Sequence, residues 1–351
     1  MRISIGMLAH NETETITESI YLLSRQSLLT EPRDDIEAIE FICVPNGCTD
    51  NTANIARQTI VTLKTSYSNP AVSWQVQELQ QTGKPNAWNE FVHRFSDQSA
   101  DYLILIDADI YLIETKALEN LLHSLIDAPN AYVAVGMPRK RVSYRGVKGI
   151  VERISLGISR VSVAGPPGVN GGLYCSQATV LHRLWLPNYI LSDDGFIGAM
   201  LSTDFFARPH QSEKIVRAGD AIYEFTPYLK LKTLFHHERR IVLGGTLNML
   251  LFTHFRSLPR GKDVGIYVKQ QCLIDPYWVK DFLAEYLRNK GWWVLPKYCF
   301  MYYLFRRFRK LKHSDMIHAL IYGPIIIASM IFEILVLIAA NIELKKRRFI
   351  W

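Results

Sequence analysis

Tyr102-Leu103-Ile104-Leu105-Ile106-Asp107-Ala108-Asp109 is the stretch that decides the fold of this chain. Its apolar residues are continuous and lack the alternation of a half-exposed strand, so the run reads as a central strand buried on both faces. Such strands belong to α/β sheets covered by helices. The run stops at Asp107. Two carboxylates at i and i+2 beyond a buried strand can share a divalent cation through their oxygens. A solvated acidic turn has the same sequence, so the meaning of the triplet depends on its companions.

Upstream, strand-like and helix-like segments alternate. Ile3 to Ala9 is a short apolar run closed by the polar turn His10-Asn11-Glu12-Thr13, and Thr13 to Ser24 carries Ile16, Ile20 and Leu23 at helical spacing. Ile39 to Val44 is a second strand ending at the turn Pro45-Asn46-Gly47. Thr49-Asp50-Asn51-Thr52 then starts a helix over Thr52 to Leu63. Val72 to Leu79 reads as a third strand, followed by Gly83-Lys84-Pro85 and a helix from Asn86 to Phe95. Ligands of open α/β sheets sit beyond the carboxyl ends of the strands, where the turns at Asn11, Asn46 and Asp107 would gather. Residues from about 130 to 240 are less regular, with loops at Gly165-Pro166-Pro167-Gly168 and Asn170-Gly171-Gly172.

With 48% hydrophobic and 21% charged residues, the chain has the balance of a packed protein and not of a disordered one. Its five cysteines form no CxxC pair and are odd in number, which argues against a disulfide framework or a zinc site and fits a reducing compartment. The apolar run after Met1 is too short for a signal peptide.

These segments, taken in order, resemble family 2 inverting glycosyltransferases of the GT-A fold. Ile5-Gly6-Met7-Leu8-Ala9-His10-Asn11-Glu12 is similar to that family's opening strand and "AYNE" turn, and Cys43 to Thr52 resembles its "VDDGSTDGT" turn. Gly83-Lys84-Pro85-Asn86-Ala87-Trp88-Asn89 resembles "GKxxALN", Asp107 to Asp109 the DxD metal motif, Ser192-Asp193-Asp194 the "ED" position, and His237-Glu238-Arg239-Arg240-Ile241 a degenerate "QxxRW". Each match is loose alone; together they keep the family order over residues 1 to 245.

The resemblance implies a mixed, mostly parallel sheet flanked by helices. It implies a nucleotide-diphosphate sugar, UDP favoured, lined by Ala9, Asn11, Glu12, Asn46, Lys84, Asp107 and Arg240. It also implies Mn2+ or Mg2+ on Asp109 and Asp107, with His237 as a further ligand candidate. Asn46 stands where the family usually has an Asp that reads uracil. Asp194 would be the base that takes the acceptor hydroxyl's proton. Asp193 would support it, and Gly171 and Gly172 would let backbone approach the acceptor. The same acidic pair is also a good helix N-terminus. With Ile241 in place of the family's Trp, single-sugar addition is expected instead of polymerisation. Two other readings stay open. A nucleotidyltransferase would need a Gly-rich, basic loop after the first strand, which is absent. A non-catalytic membrane scaffold would tolerate loss of the acidic motifs, which are present.

The last hundred residues change character. We divide the chain at 245, leaving a helical region over 246–351. Two basic clusters, Arg306-Arg307-Phe308-Arg309-Lys310-Leu311-Lys312 and Lys345-Lys346-Arg347-Arg348, flank residues 319–340, which hold a single charge, Glu333. This is the pattern of attraction to an anionic membrane surface, and no nucleic-acid-binding module accompanies it. An interfacial or re-entrant helix, a single span and a buried core helix all fit that length. Gly323-Pro324 interrupts it early, and basic residues on both sides sit poorly with one span. The expected setting is the cytoplasmic side of a membrane, with a glycan or lipid-linked acceptor.

Overall fold

A computed structural model describes residues 1–141, 167–226, 231–259, 261–311 and 316–346. The strands are β1 (Arg2–Ala9), β2 (Ala38–Pro45), β3 (Val72–Val76), β4 (Tyr102–Asp107), β5 (Ile110–Tyr111), β6 (Val133–Lys140), β7 (Leu173–Gln177) and β8 (Ile215–Phe225). They form one sheet in the order β3-β2-β1-β4-β7-β6-β8-β5. β1, β2, β3 and β4 are mutually parallel, as are β6 and β8, while β7 runs antiparallel to both of its neighbours. The sheet is mixed and mostly parallel, as expected.

The chain winds from β1 outward to β3 and returns to the other side of β1 as β4. The carboxyl ends of β1 and β4 therefore flank the point where winding reverses, which is where α/β sheets leave a crevice. Leu8 pairs with Asp107 and Ala9 with Pro45, so the ends of β1, β2 and β4 lie level.

Helices α1 (Ile16–Ser24), α2 (Ser27–Thr30), α3 (Thr52–Ser66), α4 (Lys84–Glu90) and α5 (Ala117–Ile126) cover this half. α4 continues as a π-helical turn over Phe91–Phe95. On one face Ile5, Ile20, Phe41 and Leu121 are buried in a common core; on the other, Leu103, Leu105, Trp88 and Phe91 are.

The described residues between 130 and 240 hold more regular structure than their sequence suggests. It holds β6, β7 and β8, the short α6 (Ala178–Leu181) and α7 (Asp193–Ser202). β6 and β8 carry Arg139, Lys140, Arg217, Asp220 and Glu224, which mask strand periodicity. Pairing supplies what the pattern lacks: Arg139 and Glu224 are register partners and form an ion pair at 3.0 Å.

The C-terminal region consists of α8 (Leu231–Ser257), α9 (Val264–Ile274), α10 (Trp278–Arg288), α11 (Lys297–Leu311) and α12 (Met316–Lys346). α12 runs unbroken through Gly323-Pro324, where the sequence predicts an interruption. Its second half is held by packing: Val336, Leu337, Ala340 and Leu344 join the same core as Leu243, Leu247 and Leu105. Polar ties reinforce it. Asn341 accepts from the backbone N–H of Val294 at 2.7 Å and of Leu295 at 3.1 Å, and Glu343 pairs with Arg239 at 2.9 Å. Among the described residues no helix is long and apolar enough to cross a membrane. Arg306 to Lys312 and Arg347-Arg348 fall wholly or partly outside the residues whose side chains are described.

Candidate active site

The three polar turns meet where the strand ends lie level. At β1, Asn11 adopts φ 57°, a left-handed conformation that Asn tolerates better than most residues. Its Oδ1 accepts from Thr49 N–H at 2.8 Å, fastening the first turn to the second. Asp50 does the same from the other side, accepting from the hydroxyls of Thr13 at 2.7 Å and Thr52 at 2.6 Å. Burial works against its ionisation, but these hydrogen bonds hold its carboxyl at about 2. Glu12 accepts from Thr15 Oγ1 at 2.7 Å; burial pushes its pKa up, and the charge of Asp109 adds to that.

Asn46 is placed differently from the sequence expectation. It is only 3% exposed. Its Nδ2 donates to the Ala9 carbonyl at 2.8 Å and its Oδ1 accepts from Gly83 N–H at 3.2 Å. The amide is an internal clamp between β1, β2 and the turn before α4, engaged at both ends. That use opposes a base-reading role. Ala9 contributes through its carbonyl, which also accepts from Asn46 N–H at 2.9 Å.

Lys84, the first residue of α4, is the hub. Its Nζ lies 2.7 Å from Asp107 Oδ1, 2.9 Å from Asp107 Oδ2 and 3.5 Å from Asp193 Oδ2. One ammonium thus joins Asp107 to Asp193, 86 positions apart in sequence. Desolvation opposes its charge, yet the two carboxylates hold its pKa above the ordinary value. Burial pushes Asp107 up to about 7; Lys84 pulls it down, while Asp109 and Asp193 add to the rise. Asp109 is exposed and, among the described residues, has no hydrogen bond or ion pair. Among the described residues, the carboxylates gathered here outnumber the one ammonium of Lys84, the electrostatic condition that favours a cation.

Gly171 and Gly172 pack directly on this hub. A Cβ added at Gly171 would lie 2.7 Å from Lys84 Nζ, and one at Gly172 would lie 2.7 Å from the Tyr223 hydroxyl. Asp107 N–H donates to the Gly172 carbonyl at 3.0 Å. Asp193 is 8% exposed and faces Lys84. Asp194 is half-buried at the start of α7. Its Oδ1 accepts from Ser192 Oγ at 2.8 Å and from Gly195 N–H at 2.7 Å, while Oδ2 has no partner among the described residues. The hydroxyl of Ser192 does not cap α7; it is committed to orienting this carboxylate.

The sequence reading missed two tyrosines. Tyr223, buried on β8, donates to Asn170 Oδ1 at 3.0 Å and feels the charges of Asp107, Lys84, Asp109 and Asp194 together. Tyr174 on β7 accepts from Trp88 Nε1 at 2.6 Å and feels Asp193, Lys84 and Asp107. Burial raises the pKa of both. Only the fold marks them out, since a Tyr within a strand is ordinary core sequence.

The late motif departs from expectation. His237 lies in the second turn of α8, and among the described residues no three His, Cys, Asp or Glu side chains converge as a metal cage. His237 therefore does not complete a site with Asp107 and Asp109. Arg239 is taken up by Glu343 and by His236 Nδ1 at 3.1 Å, which leaves Arg240 as the exposed arginine of the pair.

Residues 4–155 match the model of glycosyl transferase family 2. In structure the chain is similar to a mannosyltransferase from Pyrobaculum calidifontis in complex with GDP-Man and Mn2+. That match has a TM-score of 0.59 and 17% identity, over 99% of this chain and 88% of the other. Glucosyl-3-phosphoglycerate synthase from Mycobacterium tuberculosis, in complex with Mn2+, UDP-glucose and phosphoglyceric acid, aligns with a TM-score of 0.45 and 18% identity. It covers 74% of this chain and 81% of the synthase. No curated protein sequence matches the chain.

Proposed function

We propose that this chain, a glycosyltransferase whose residues 4–155 match the model of family 2, moves a single sugar, with inversion, from a nucleoside-diphosphate donor to an acceptor hydroxyl near a membrane surface. The observation that carries this reading is the Lys84 bridge between Asp107 and Asp193, which sets donor-side and acceptor-side carboxylates around one ammonium.

Asp109 and Asp107 are the residues that would hold Mn2+ or Mg2+. Two carboxylates, one of them exposed and unengaged, fit the oxygen shell these ions take, with phosphate oxygens and water supplying the rest. The ion would neutralise diphosphate charge, so that the nucleotide departs without needing a proton. Lys84 stays protonated and adds positive charge beside the donor. Asp194 Oδ2 accepts the proton of the attacking hydroxyl, while Ser192 and Gly195 keep Oδ1 fixed. Asp193 holds Lys84 from the acceptor side.

The inward amide of Asn46 removes the particular argument for uracil, so GDP-sugars stand beside UDP-sugars as donors. The test is a donor screen by nucleotide release with Mn2+ or Mg2+, which includes GDP-mannose and UDP-glucose. Release of no nucleotide from any sugar donor would overturn the reading.

The membrane-proximal acceptor rests on α11 and α12. Tyr298, Met301, Tyr302 and Phe305 repeat at helical spacing on α11, and Ile331, Ile334, Leu335 and Ile342 do so on α12; all eight are exposed. Lys297, Lys345 and Lys346 are exposed at the ends of these stripes. Truncating the tail is a poor test, because Val336, Leu337, Ala340 and Leu344 are core. Leu335→Glu should instead reduce sedimentation with anionic vesicles while leaving the fold intact; unchanged sedimentation would remove the membrane from the reading.

A further inference from the structure

Helix α8 meets the loop before α7 at a notch. A Cβ added at Gly244 would lie 2.9 Å from Ser192 Cβ, 3.0 Å from Ser192 N and 3.1 Å from the Leu191 carbonyl carbon. Backbone therefore rests directly on the helix there. One turn later Asn248, 3% exposed, donates Nδ2 to the Ser192 carbonyl at 2.8 Å. A Cβ at Gly195 would lie 3.3 Å from that same nitrogen. Ser192 then passes the constraint on, since its Oγ donates to Asp194 Oδ1.

These residues are costly choices for a helix interior. Glycine is about 1 kcal/mol worse than alanine there. Asn248 keeps a buried Oδ1 that has no hydrogen-bond partner among the described residues, and an unsatisfied buried acceptor is also destabilising. An apolar residue would pack the same seam without that loss. Local choices that run against stability concentrate where function constrains geometry. The contacts lead from helix to peptide to carboxylate without a gap.

We propose that Asn248 and Gly244 are positioning residues for the reaction: through the Ser192 peptide they set the orientation of the Asp194 carboxylate toward the acceptor hydroxyl. This rests on the reading of Asp194 as the proton acceptor. Neither residue touches substrate. Asn248 fixes the Ser192 carbonyl, which also accepts from Phe196 N–H at 3.1 Å and so anchors the first turn of α7. Gly244 sets how closely that turn can approach α8.

The test is a kinetic cycle on the full chain with Asn248→Leu, Asp194→Asn and the double variant. It measures nucleotide release dependent on acceptor, donor-induced thermal shift and melting temperature. Asn248→Leu should lower kcat about 10- to 100-fold, the range expected for a displaced catalytic group, with donor KM and donor-induced shift within about twofold of wild type. In the Asp194→Asn background the same substitution should change the residual rate by less than about twofold, because the group it positions is already gone. An equal loss in both backgrounds would overturn the positioning role and leave Asp194 as the base. Full activity in Asp194→Asn would instead overturn the base, and the positioning role with it. Should Asn248→Leu fail to fold, Gly244→Ala takes its place. Alanine favours the helix while its Cβ displaces Ser192, so a folded protein with low kcat is expected, and wild-type kcat in it would overturn the proposal.

Discussion

The two halves of the site are built by different means. On the donor side, Asn11, Glu12, Asp50 and Asp109 sit in turns that directly end buried strands or start helices. The partners of the first three are Thr13, Thr15, Thr49 and Thr52, in two turns brought level by strand pairing. On the proposed acceptor side, Asp193 and Asp194 head a helix, but Asp193 meets Lys84, and the neighbouring Ser192 that bonds Asp194 is held by Asn248, so the contacts draw on separate parts of the chain. The donor side is local architecture repeated three times. The acceptor side is an assembly.

That difference can be broken most sharply at Asp109. Asp109→Ala removes an exposed carboxylate with no structural partner among the described residues, so folding should be unchanged. Transfer should fall by about 10³-fold or more, since loss of a metal ligand forfeits several kcal/mol at the transition state. Full activity at saturating donor would undo the metal assignment. Lys84→Met tests the link between the halves. It leaves Asp107 and Asp193 without their shared cation, and breaking one member of such a group costs a few kcal/mol. We expect kcat/KM to fall about 10²-fold, with a lower melting temperature.

A smaller effect is expected on the acceptor side alone. Gly172→Ala pushes a methyl against the Tyr223 hydroxyl, so acceptor KM should rise about 10-fold with donor KM nearly constant. A change in donor KM instead would merge the two halves. The least effect at neutral pH belongs to His93, which stacks on Trp185 at 4.0 Å behind the site and donates Nε2–H to the Leu184 carbonyl at 2.9 Å. Burial lowers its pKa from 6.5 to about 4. The folded value lies below the unfolded one, so this stability is present above about pH 6.5 and is lost as pH falls toward 4. Titrating unfolding free energy across that window should give a loss of which His93→Gln removes up to about 3 kcal/mol, the remainder including His182 and His254, whose pKa values burial also lowers.

Much of the fold was legible because its signals are local. Tyr102 to Ile106 announced a buried strand, and the turn at Pro45-Asn46-Gly47 ended another within one residue of its observed end. β6 and β8 were not legible, because their charged residues interrupt any apolar alternation, and one pair, Arg139 and Glu224, is satisfied only across the ladder. The placement of Asn46 was not legible for a related reason: its identity is that of a polar turn residue, and only its bonds to Ala9 and Gly83 reveal that the amide faces inward. Within α12, Gly323-Pro324 signals a break that packing of Val336, Leu337 and Ala340 against the core overrides.

By itself the sequence determined the sheet's buried centre, the turns that end its strands and the presence of two acidic motifs. These follow from residue periodicity and short-range hydrogen bonds, which a linear reading contains. Only the tertiary structure decided that Lys84 joins those motifs, that Tyr174 and Tyr223 line them, and that Gly244 and Asn248 hold the loop carrying Asp194. Each of those depends on close approach between segments far apart in the chain, and the spacing of residues along one segment carries no record of which other segment will pack against it.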